Sequence, residues 1–374
     1  MRIAVVCPNV SSNSLVRTYP IAKVLSRKHD VQVHGFAFGN GVFPPYRDSF
    51  EYDTVRARRN PAFWLQVAAL ARRIEGDVVY AFKPVPSSLW VGLLAARRLG
   101  VPLILDVEDW EAGWYWDRQL PDLLKHWAHV ERPNALLWTW GSERLVGRCD
   151  QVFVVSRFLQ RRFGGTLLRH GADTDDFDPG RWTSAKARAA VGLPEGRFAI
   201  FTGTPMRNKG LEDFLEALRL HGDPTIRLVI VGSFTHDPAY EALLRRDHGD
   251  AIVFVGPRPH DEMPLYLAAA DWVVIPQRVS RETVAQVPGK VFEAMAMAKP
   301  ILATRVGDLP EILEGCAELA EPDSPESLAA SLRRLVEDPD RAAGLGRAAR
   351  ARCVADFSWD AMERVLEESL ARLR

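Results

Sequence analysis

Four neighbouring residues have the types and spacing to bind a phosphorylated ligand. Pro288 and Gly289 form a predicted loop that opens a short helix at Lys290. The free backbone N–H groups at a helix start, the positive end of the helix dipole and a lysine together attract an anion. Glu293 follows one turn later, and its carboxylate either accepts hydrogen bonds from sugar hydroxyls or only complements the helix dipole.

A second glycine-rich turn with two cations precedes this one in the chain. Gly203 and Gly210 bracket it, and Arg207 and Lys209 lie between them. An apolar strand pattern leads into the turn and a helical pattern follows it. The arrangement again predicts an anion-binding turn at a helix start.

A run of acidic residues, 106–111, directly follows the apolar stretch Leu103-Ile104-Leu105. Ligands of open α/β sheets bind beyond the carboxyl ends of the strands, so these acids are candidates to contact a ligand. Carboxylates this close repel one another, which raises the proton affinity of at least one of them. A solvated acidic helix face is the alternative, and it fits a segment that follows a buried strand poorly.

Strands and helices alternate along the chain, which predicts βαβ units and doubly wound parallel sheets. The predicted strands are 3–7, 30–35, 77–82, 103–105, 150–155, 198–201, 226–232, 252–256, 272–276 and 301–304. The first glycine of the chain is Gly35. A dinucleotide-binding GxGxxG motif after the first strand is therefore excluded.

Length and charge indicate two domains of unequal charge. The 374 residues suit two domains. Residues 1–170 carry 23 Lys and Arg against 15 Asp and Glu, and residues 171–374 carry 25 against 33, so +8 and −8 sum to zero. The basic part either attracts anionic acceptors or an anionic membrane surface, or reflects ordinary surface variation.

The remaining composition predicts the compartment and the partners. The four cysteines lack metal-ligand spacing, which predicts a reducing compartment and no structural zinc. No signal peptide or membrane-spanning run is recognisable, so a cytoplasmic protein is predicted, and no nucleic acid is expected as a partner. Six of the eleven tryptophans lie in residues 110–140. They indicate either peripheral contact of the N-terminal domain with the inner membrane face or a core helix carrying Leu123, Leu124, Trp127 and Val130.

The segment 288–296, followed by Lys299-Pro300-Ile301 and by 307–312, resembles the C-terminal signature of the GT-B glycosyltransferases. It is similar to the retaining glycosyl transferases group 1, family 4. The resemblance implies two Rossmann-like doubly wound domains that face a cleft. The first domain would comprise residues 1–172 and a returning C-terminal helix, 358–374, and the second, nucleotide-sugar-binding domain would comprise residues 173–357.

The resemblance also implies roles for individual residues. Glu293 would bind the ribose of a nucleotide sugar, and the loop at Pro257 and Arg258 would hold the nucleobase. The donor diphosphate would contact Gly203, Thr204, Arg207, Lys209, Gly289 and Lys290. The donor sugar or the acceptor would contact Asn13, Asp106, Gln286, Val287 and Pro288. Glu108, Asp109 and Lys209 would be catalytic.

Several positions depart from the family pattern, and three of them concern the residues expected at the donor site. Many members carry another Glu eight residues before the ribose-binding one, where this chain has Ala285. Thr204 stands where the family has an Arg in the diphosphate turn, and Glu108 stands where a His is common. These departures affect the contacts to the donor sugar and to the diphosphate.

The predicted function is transfer of a sugar, with retention, from a nucleotide-diphosphate sugar to a hydroxyl acceptor such as a saccharide, a lipid-linked glycan or a small molecule. The reaction would belong to glycan, glycolipid or glycoconjugate synthesis. No cofactor or metal is expected, because the cationic turn stabilises the leaving diphosphate. Two alternatives are a nucleotide-sugar epimerase on the same fold and a non-catalytic nucleotide-sugar-binding partner of another transferase.

Overall fold

A computed structural model describes residues 1–116, 129–235 and 237–373, without the side chains of Trp114 and Trp116. The chain divides into two compact units, one formed by Met1–Arg169 with Met362–Arg374 and the other by His170–Ala361. The sequence predicted domain borders after residues 172 and 357. The borders in the structure, after Arg169 and Ala361, lie three and four residues from the predicted ones.

The first unit contains a parallel sheet of seven strands in the order β3-β2-β1-β4-β5-β6-β7. Val5 of the central strand lies opposite Val33 on one side and Tyr80 on the other. The strands are β1 (Arg2–Cys7), β2 (Asp30–Ala37), β3 (Tyr52–Arg56), β4 (Val78–Phe82), β5 (Leu103–Val107), β6 (Gln151–Val154) and β7 (Thr166–Leu167).

The second unit contains a parallel sheet of six strands in the order β10-β9-β8-β11-β12-β13. Its central strands are near-continuous apolar runs, as expected for a parallel sheet that is covered on both faces. The strands are β8 (Arg197–Thr202), β9 (Ile226–Val231), β10 (Ile252–Phe254), β11 (Trp272–Ile275), β12 (Ile301–Thr304) and β13 (Glu318–Ala320).

Helices connect the strands as the alternating pattern predicts. In the first unit they are α1 (Leu15–Ser26), α2 (Ala62–Arg73), α3 (Val91–Leu99), α4 (Gly113–Trp116), α5 (Leu136–Glu143) and α6 (Arg157–Phe163). In the second unit they are α7 (Ser184–Val191), α8 (Leu211–His221), α9 (Pro238–His248), α10 (Met263–Ala269), α11 (Arg281–Ala285), α12 (Lys290–Ala296), α13 (Leu309–Ile312), α14 (Pro325–Glu337) and α15 (Pro339–Asp356). The last helix, α16 (Trp359–Arg372), begins in the second unit and ends in the first.

Two apolar clusters cover the two faces of the second sheet. Phe292 and Met295 of α12 pack in one cluster with residues of α10 and α15, and Phe214 of α8 packs in the other with residues of α14. The apolar face predicted for α12 is therefore buried. This packing holds the helix that carries Lys290 and Glu293 against the sheet.

The tryptophan-rich segment is only partly described. Leu123, Leu124 and Trp127 of its predicted core helix lie outside the described residues, whereas Val130, the fourth residue predicted for that core face, is 43% exposed. Trp138 donates its indole N–H to the Val130 carbonyl oxygen at 2.8 Å, and its ring packs edge-on against Trp64. Within the described part of the chain, no helix has the length and apolar character needed to cross a bilayer.

Candidate active site

The turn after β8 brings Gly203 next to Lys290. Gly203 has φ +96° and donates its N–H to the Val231 carbonyl oxygen at 2.9 Å. A Cβ atom on Gly203 would lie 3.2 Å from the Lys290 Nζ atom, and a Cβ on Gly232 would lie 2.0 Å from the Gly203 carbonyl oxygen. Glycine is therefore required at both positions, and the ammonium group of Lys290 lies directly against the turn.

Two lysines converge at this edge of the sheet. Lys290 is partly buried, with its Nζ atom 3.4 Å from the centroid of the Phe201 ring. Burial, and then the positive charge of Lys209, lower the pKa of Lys290 well below its usual value, against the opposite effect of Glu293. Lys209 donates a hydrogen bond to the Gln286 Oε1 atom at 2.8 Å. An anion between the two lysines would relieve their mutual repulsion.

The second glycine of the turn is also fixed by its surroundings. Gly210 has φ +68°, and a Cβ there would lie 1.9 Å from the Pro276 carbonyl oxygen. Arg278, two residues after Pro276, makes two hydrogen bonds of 2.6 Å to the Asp213 carboxylate of α8. Its backbone N–H donates to the Asn208 carbonyl oxygen at 3.0 Å. The anion-binding turn is thus held between β11 and α8.

Glu293 pairs with a histidine that the sequence analysis did not single out. The Nε2 atom of His260 lies 3.0 Å from a Glu293 carboxylate oxygen. Burial lowers the pKa of His260, but the hydrogen bond and the charge of Glu293 outweigh that effect and raise it. His260 follows the exposed Pro257 and Arg258 by two to three residues, so the predicted nucleobase loop lies in sequence beside the partner of Glu293.

Some residues predicted for the donor site are placed differently. Arg207 donates to the Asp237 carboxylate at 3.1 Å and lies over the Tyr240 ring at 4.9 Å, so its guanidinium is already paired. Val287 is 2% exposed and its side chain packs in the core, so only its backbone is available to a ligand. Ala285 is 1% exposed, so the position of the missing Glu is buried as well.

Asp106 in the first unit, which the sequence predicted to contact a sugar or an acceptor, forms a buried ion pair. It is completely buried at the end of β5, and Arg17 donates to its two oxygens at 3.0 and 2.9 Å. The Tyr80 hydroxyl donates to it at 3.1 Å. The charge of Asp106 is therefore used in a buried ion pair, and a contact of Asp106 with a sugar or an acceptor stays a prediction.

Glu108 and Asp109 do lie together beyond β5, around a lysine. The Lys83 Nζ atom lies 3.1 Å from Glu108, 2.8 Å from Asp109 and 2.7 Å from Glu111. Burial raises the pKa of Glu108 to about 7; Lys83 opposes this shift and Asp109 adds to it. One carboxyl group is thus protonated for part of the time at neutral pH. Burial raises the pKa of Glu108 more than does the repulsion between carboxylates that the sequence predicted.

The backbone of Lys83 is held in an unusual conformation. Its φ is +63°, in the left-handed region, and its N–H donates to the Asp106 carbonyl oxygen at 2.8 Å. A non-glycine residue in this conformation carries strain that the surroundings must offset, and such residues cluster at functional sites. In the sequence, the feature that could have indicated Lys83 is its position directly after Phe82, the last residue of β4.

Asn13 lies in the exposed loop before α1, where its carbonyl oxygen accepts the N–H of Val16 at 3.0 Å. The side chain of Asn13 is exposed, so a ligand bound to the first unit can reach it. Among the residues that the structure describes, no group of three or more His, Cys, Asp or Glu side chains could hold a metal ion.

Comparison with known proteins identifies the family. Residues 196–338 match the family "Glycosyl transferases group 1", and residues 16–167 match "Glycosyltransferase Family 4". A GDP-mannose-dependent alpha-(1-6)-phosphatidylinositol monomannoside mannosyltransferase from Mycolicibacterium smegmatis is 28% identical over 94% of this chain and 92% of its own length. A D-inositol 3-phosphate glycosyltransferase from Catenulispora acidiphila is 29% identical over 78% of this chain and 71% of its own.

The chain belongs to the group 1, family 4 glycosyltransferases. The fold is GT-B, as predicted: sucrose-phosphate synthase from Thermosynechococcus elongatus superimposes with a TM-score of 0.75 at 18% identity, covering 100% of this chain and 99% of that one. The Anabaena protein HepE in complex with UDP-glucose also gives 0.75, at 20% identity and full coverage of both chains. The predictions of the family and of an enzyme that transfers glycosyl groups are confirmed.

In this glycosyltransferase, we expect Glu293→Ala to weaken nucleoside diphosphate binding by about 10- to 100-fold, the value of one or two hydrogen bonds to a charged group. Glu293→Gln keeps the shape and part of the hydrogen bonding, so its loss should be only a few-fold. Titration calorimetry with UDP and GDP measures both variants. Glu314→Ala, an exposed carboxylate of the same unit, is the matched control, and equal affinities in Glu293→Ala and the control would refute a ribose contact.

The lowered pKa of Lys290 predicts proton uptake on nucleotide binding. A bound diphosphate favours the charged ammonium and raises this pKa, so the complex holds more protons than the free transferase. Affinity for the nucleoside diphosphate should therefore increase as the pH falls from the usual lysine range. Calorimetry in two buffers of different ionisation enthalpy measures the uptake, and identical heats in both would exclude it.

The transferase should also depend on the carboxylate of Asp109. We expect Asp109→Asn to lower the transfer rate by about 100-fold, the effect of losing one positioned polar partner of the reacting groups. Nucleoside diphosphate affinity and melting temperature should stay close to those of the wild type, because Asn hardly changes the volume beside Lys83. The exposed Asp48→Asn is the matched control. If affinity or stability falls together with the rate, Asp109 is structural.

Proposed function

We propose that the protein transfers a sugar from a nucleotide-diphosphate sugar to a hydroxyl acceptor with retention of configuration at the anomeric carbon. The observation that carries this proposal is the pair Lys209 and Lys290 beside the Gly203 turn, at the carboxyl edge of the second sheet. Negative charge develops on the diphosphate as the glycosidic bond breaks. Two positioned cations stabilise that charge without a metal ion.

The proposed reaction uses few protein groups. The bond between the anomeric carbon and the diphosphate oxygen breaks, and the acceptor oxygen forms the new bond on the same face of the sugar. The leaving phosphate takes the hydroxyl proton. Glu293 accepts hydrogen bonds from the ribose, and Glu108 and Asp109 contact the sugar or the acceptor.

The names of relatives and structural neighbours support a nucleotide-sugar donor. The mycobacterial relative is GDP-mannose-dependent, and the Anabaena neighbour is a complex with UDP-glucose. Several relatives act on inositol phosphates or on phosphatidylinositol mannosides according to their names, and another serves teichuronic acid biosynthesis. We infer a role in the synthesis of a glycolipid or another glycoconjugate, with peripheral membrane contact where the acceptor is a lipid.

The test is turnover by the purified chain. It is incubated with GDP-mannose, UDP-glucose and related donors, each with and without a mixture of candidate acceptors. Anomeric proton coupling in the product spectrum reports the configuration. Acceptor-dependent release of nucleotide with a retained linkage supports the proposal. An inverted product would exclude retention, conversion of the donor alone would indicate an epimerase, and no turnover with intact nucleotide binding would indicate a non-catalytic partner.

A further inference from the structure

A cavity of about 470 Å³ opens at the carboxyl edge of the sheet in the first unit. The floor of the cavity is formed by residues that lie just beyond the ends of three neighbouring strands. These residues are Asn9 after β1, Phe38 after β2 and Arg58 after β3. This is the edge at which open α/β sheets place ligands, and the volume suits one small molecule. None of the residues assigned to the proposed transfer reaction lines this cavity.

The wall opposite the strands is fixed by side-chain hydrogen bonds. Asn60 donates its backbone N–H to the Glu131 carbonyl oxygen and its side-chain N–H to the Val130 carbonyl oxygen, both at 2.8 Å. Asn134 donates to the Ser87 hydroxyl at 2.9 Å. The segment that carries His129 and Arg132 is therefore tied to two loops of the sheet, and the cavity has a defined shape.

The lining has a surplus of positive charge. Arg58 and Arg59 line one side and make no ion pair with any residue that the structure describes. Arg132 and His129 line the other side, where Glu131 lies 3.8 Å from the Arg132 Nε atom and 3.1 Å from His129. Among the lining residues that the structure describes and their ion-pair partners, three guanidinium groups face one carboxylate, so this lining attracts anions. Guanidinium forks match phosphate oxygens in geometry.

The cavity also has apolar aromatic surface. Phe38 is 39% exposed although it leads a row of rings that runs inward to Phe36 and Phe63. Tyr115 lines the cavity as well. A pocket that combines aromatic surface with a few convergent polar groups is suited to a small organic ligand rather than to a free ion alone. The C–H face of a sugar or polyol could pack on Phe38 while its anionic group meets the arginines.

We propose that this cavity binds the acceptor substrate through a phosphate group, carried as a monoester or a diester on a sugar or polyol. This inference rests on the proposed function, since it names the chemistry of the acceptor that the transferase glycosylates. Arg58 and Arg59 are its main phosphate ligands. The phosphate comes either from a soluble sugar phosphate or from the headgroup of an anionic lipid, and the experiment distinguishes the two.

The test uses the full chain with saturating UDP or GDP, so that the donor turn is occupied. Glucose 1-phosphate and glycerol 3-phosphate are titrated against their neutral parents, glucose and glycerol. Phosphatidylglycerol vesicles are compared with phosphatidylcholine vesicles by co-sedimentation. We expect the wild type to bind the phosphorylated soluble ligands, or the phosphatidylglycerol vesicles, at least about tenfold more tightly than their neutral counterparts. The comparison that shows this difference in affinity identifies the source of the phosphate.

The double variant Arg58→Gln/Arg59→Gln should lose this preference while it keeps its affinity for UDP or GDP. The matched control is Arg47→Gln/Arg72→Gln, which removes two exposed arginines of the same unit outside the cavity and should keep the preference. No preference in the wild type, or equal losses in both double variants, would overturn the proposal. A failure of the proposed function gives a different result, namely that the wild type shows no nucleotide binding or no acceptor-dependent turnover.

Discussion

Lys209→Ala is expected to lower kcat/KM for glycosyl transfer by about 30- to 900-fold. This range corresponds to about 2–4 kcal/mol of transition-state stabilisation, the value of one positioned donor at a site of developing charge. Lys209 lies in the rigid turn between Gly203 and Gly210, and its ammonium group already points to Gln286 at 2.8 Å. When the diphosphate leaves, this cation is in place and needs no reorganisation. Initial rates with donor and acceptor varied separately give the value.

The control for this prediction is Lys186→Ala, which removes an exposed lysine of the same unit. It should keep wild-type kcat/KM, and normal kcat/KM in Lys209→Ala as well would show that Lys209 does not meet the diphosphate. Lys290→Met should lose activity to a similar extent. Methionine preserves most of the buried volume against Phe201, so the melting temperature separates a loss of chemistry from a loss of packing.

Arg17→Met should cause the largest loss of stability among single substitutions in the first unit. It would leave the Asp106 carboxylate buried, with the Tyr80 hydroxyl as its one remaining side-chain donor among the residues that the structure describes. Breaking a buried pair in this way costs about 3–5 kcal/mol, because the remaining charge is uncompensated. For a unit of this size the loss corresponds to a fall in Tm of about 6–20 °C. Calorimetric scans with and without nucleotide assign the transition to its unit.

A second substitution tests the cause of that loss. In Arg17→Met/Asp106→Leu both charges are gone, and replacing a buried pair by apolar residues is often nearly neutral. The double variant should therefore recover much of the stability. Part of the loss should remain, because Arg17 also donates to the Leu168 and Arg169 carbonyl oxygens at 2.7 and 3.1 Å. A double variant as unstable as Arg17→Met would show that these carbonyl contacts, and not the lone charge, dominate.

The sequence predicted the central strands well because each is a continuous apolar run. It missed β3, β7 and β13, each for a physical reason. Tyr52–Arg56 is a half-exposed edge strand with mixed polarity, and Thr166–Leu167 and Glu318–Ala320 have only two and three residues. Short edge strands owe their pairing to the neighbouring strand more than to their own composition.

The candidate site was predictable where backbone geometry constrains the residue type. Gly203 and Gly210 belong to a turn whose glycines have no room for a side chain, and Lys290 lies against Gly203. The partners of the charged groups were not predictable, because sequence spacing does not show which charges meet in space. Lys83, His260 and the Arg17–Asp106 pair illustrate this, and the pair shows that an acidic residue after a strand can be held in a buried ion pair.

The division of the chain has a consequence for folding during synthesis. The first unit needs Met362–Arg374, and residues of α16 make ion pairs there: Glu363 with Arg27 and Lys28, and Glu367 with His29. His170–Ala361, by contrast, is one continuous segment. Domains fold as units while the ribosome elongates the chain. The second unit can therefore complete its fold before the first, although Met1–Arg169 is synthesised earlier than His170–Ala361. Met1–Arg169 then keeps an incomplete surface until Met362–Arg374 has been synthesised.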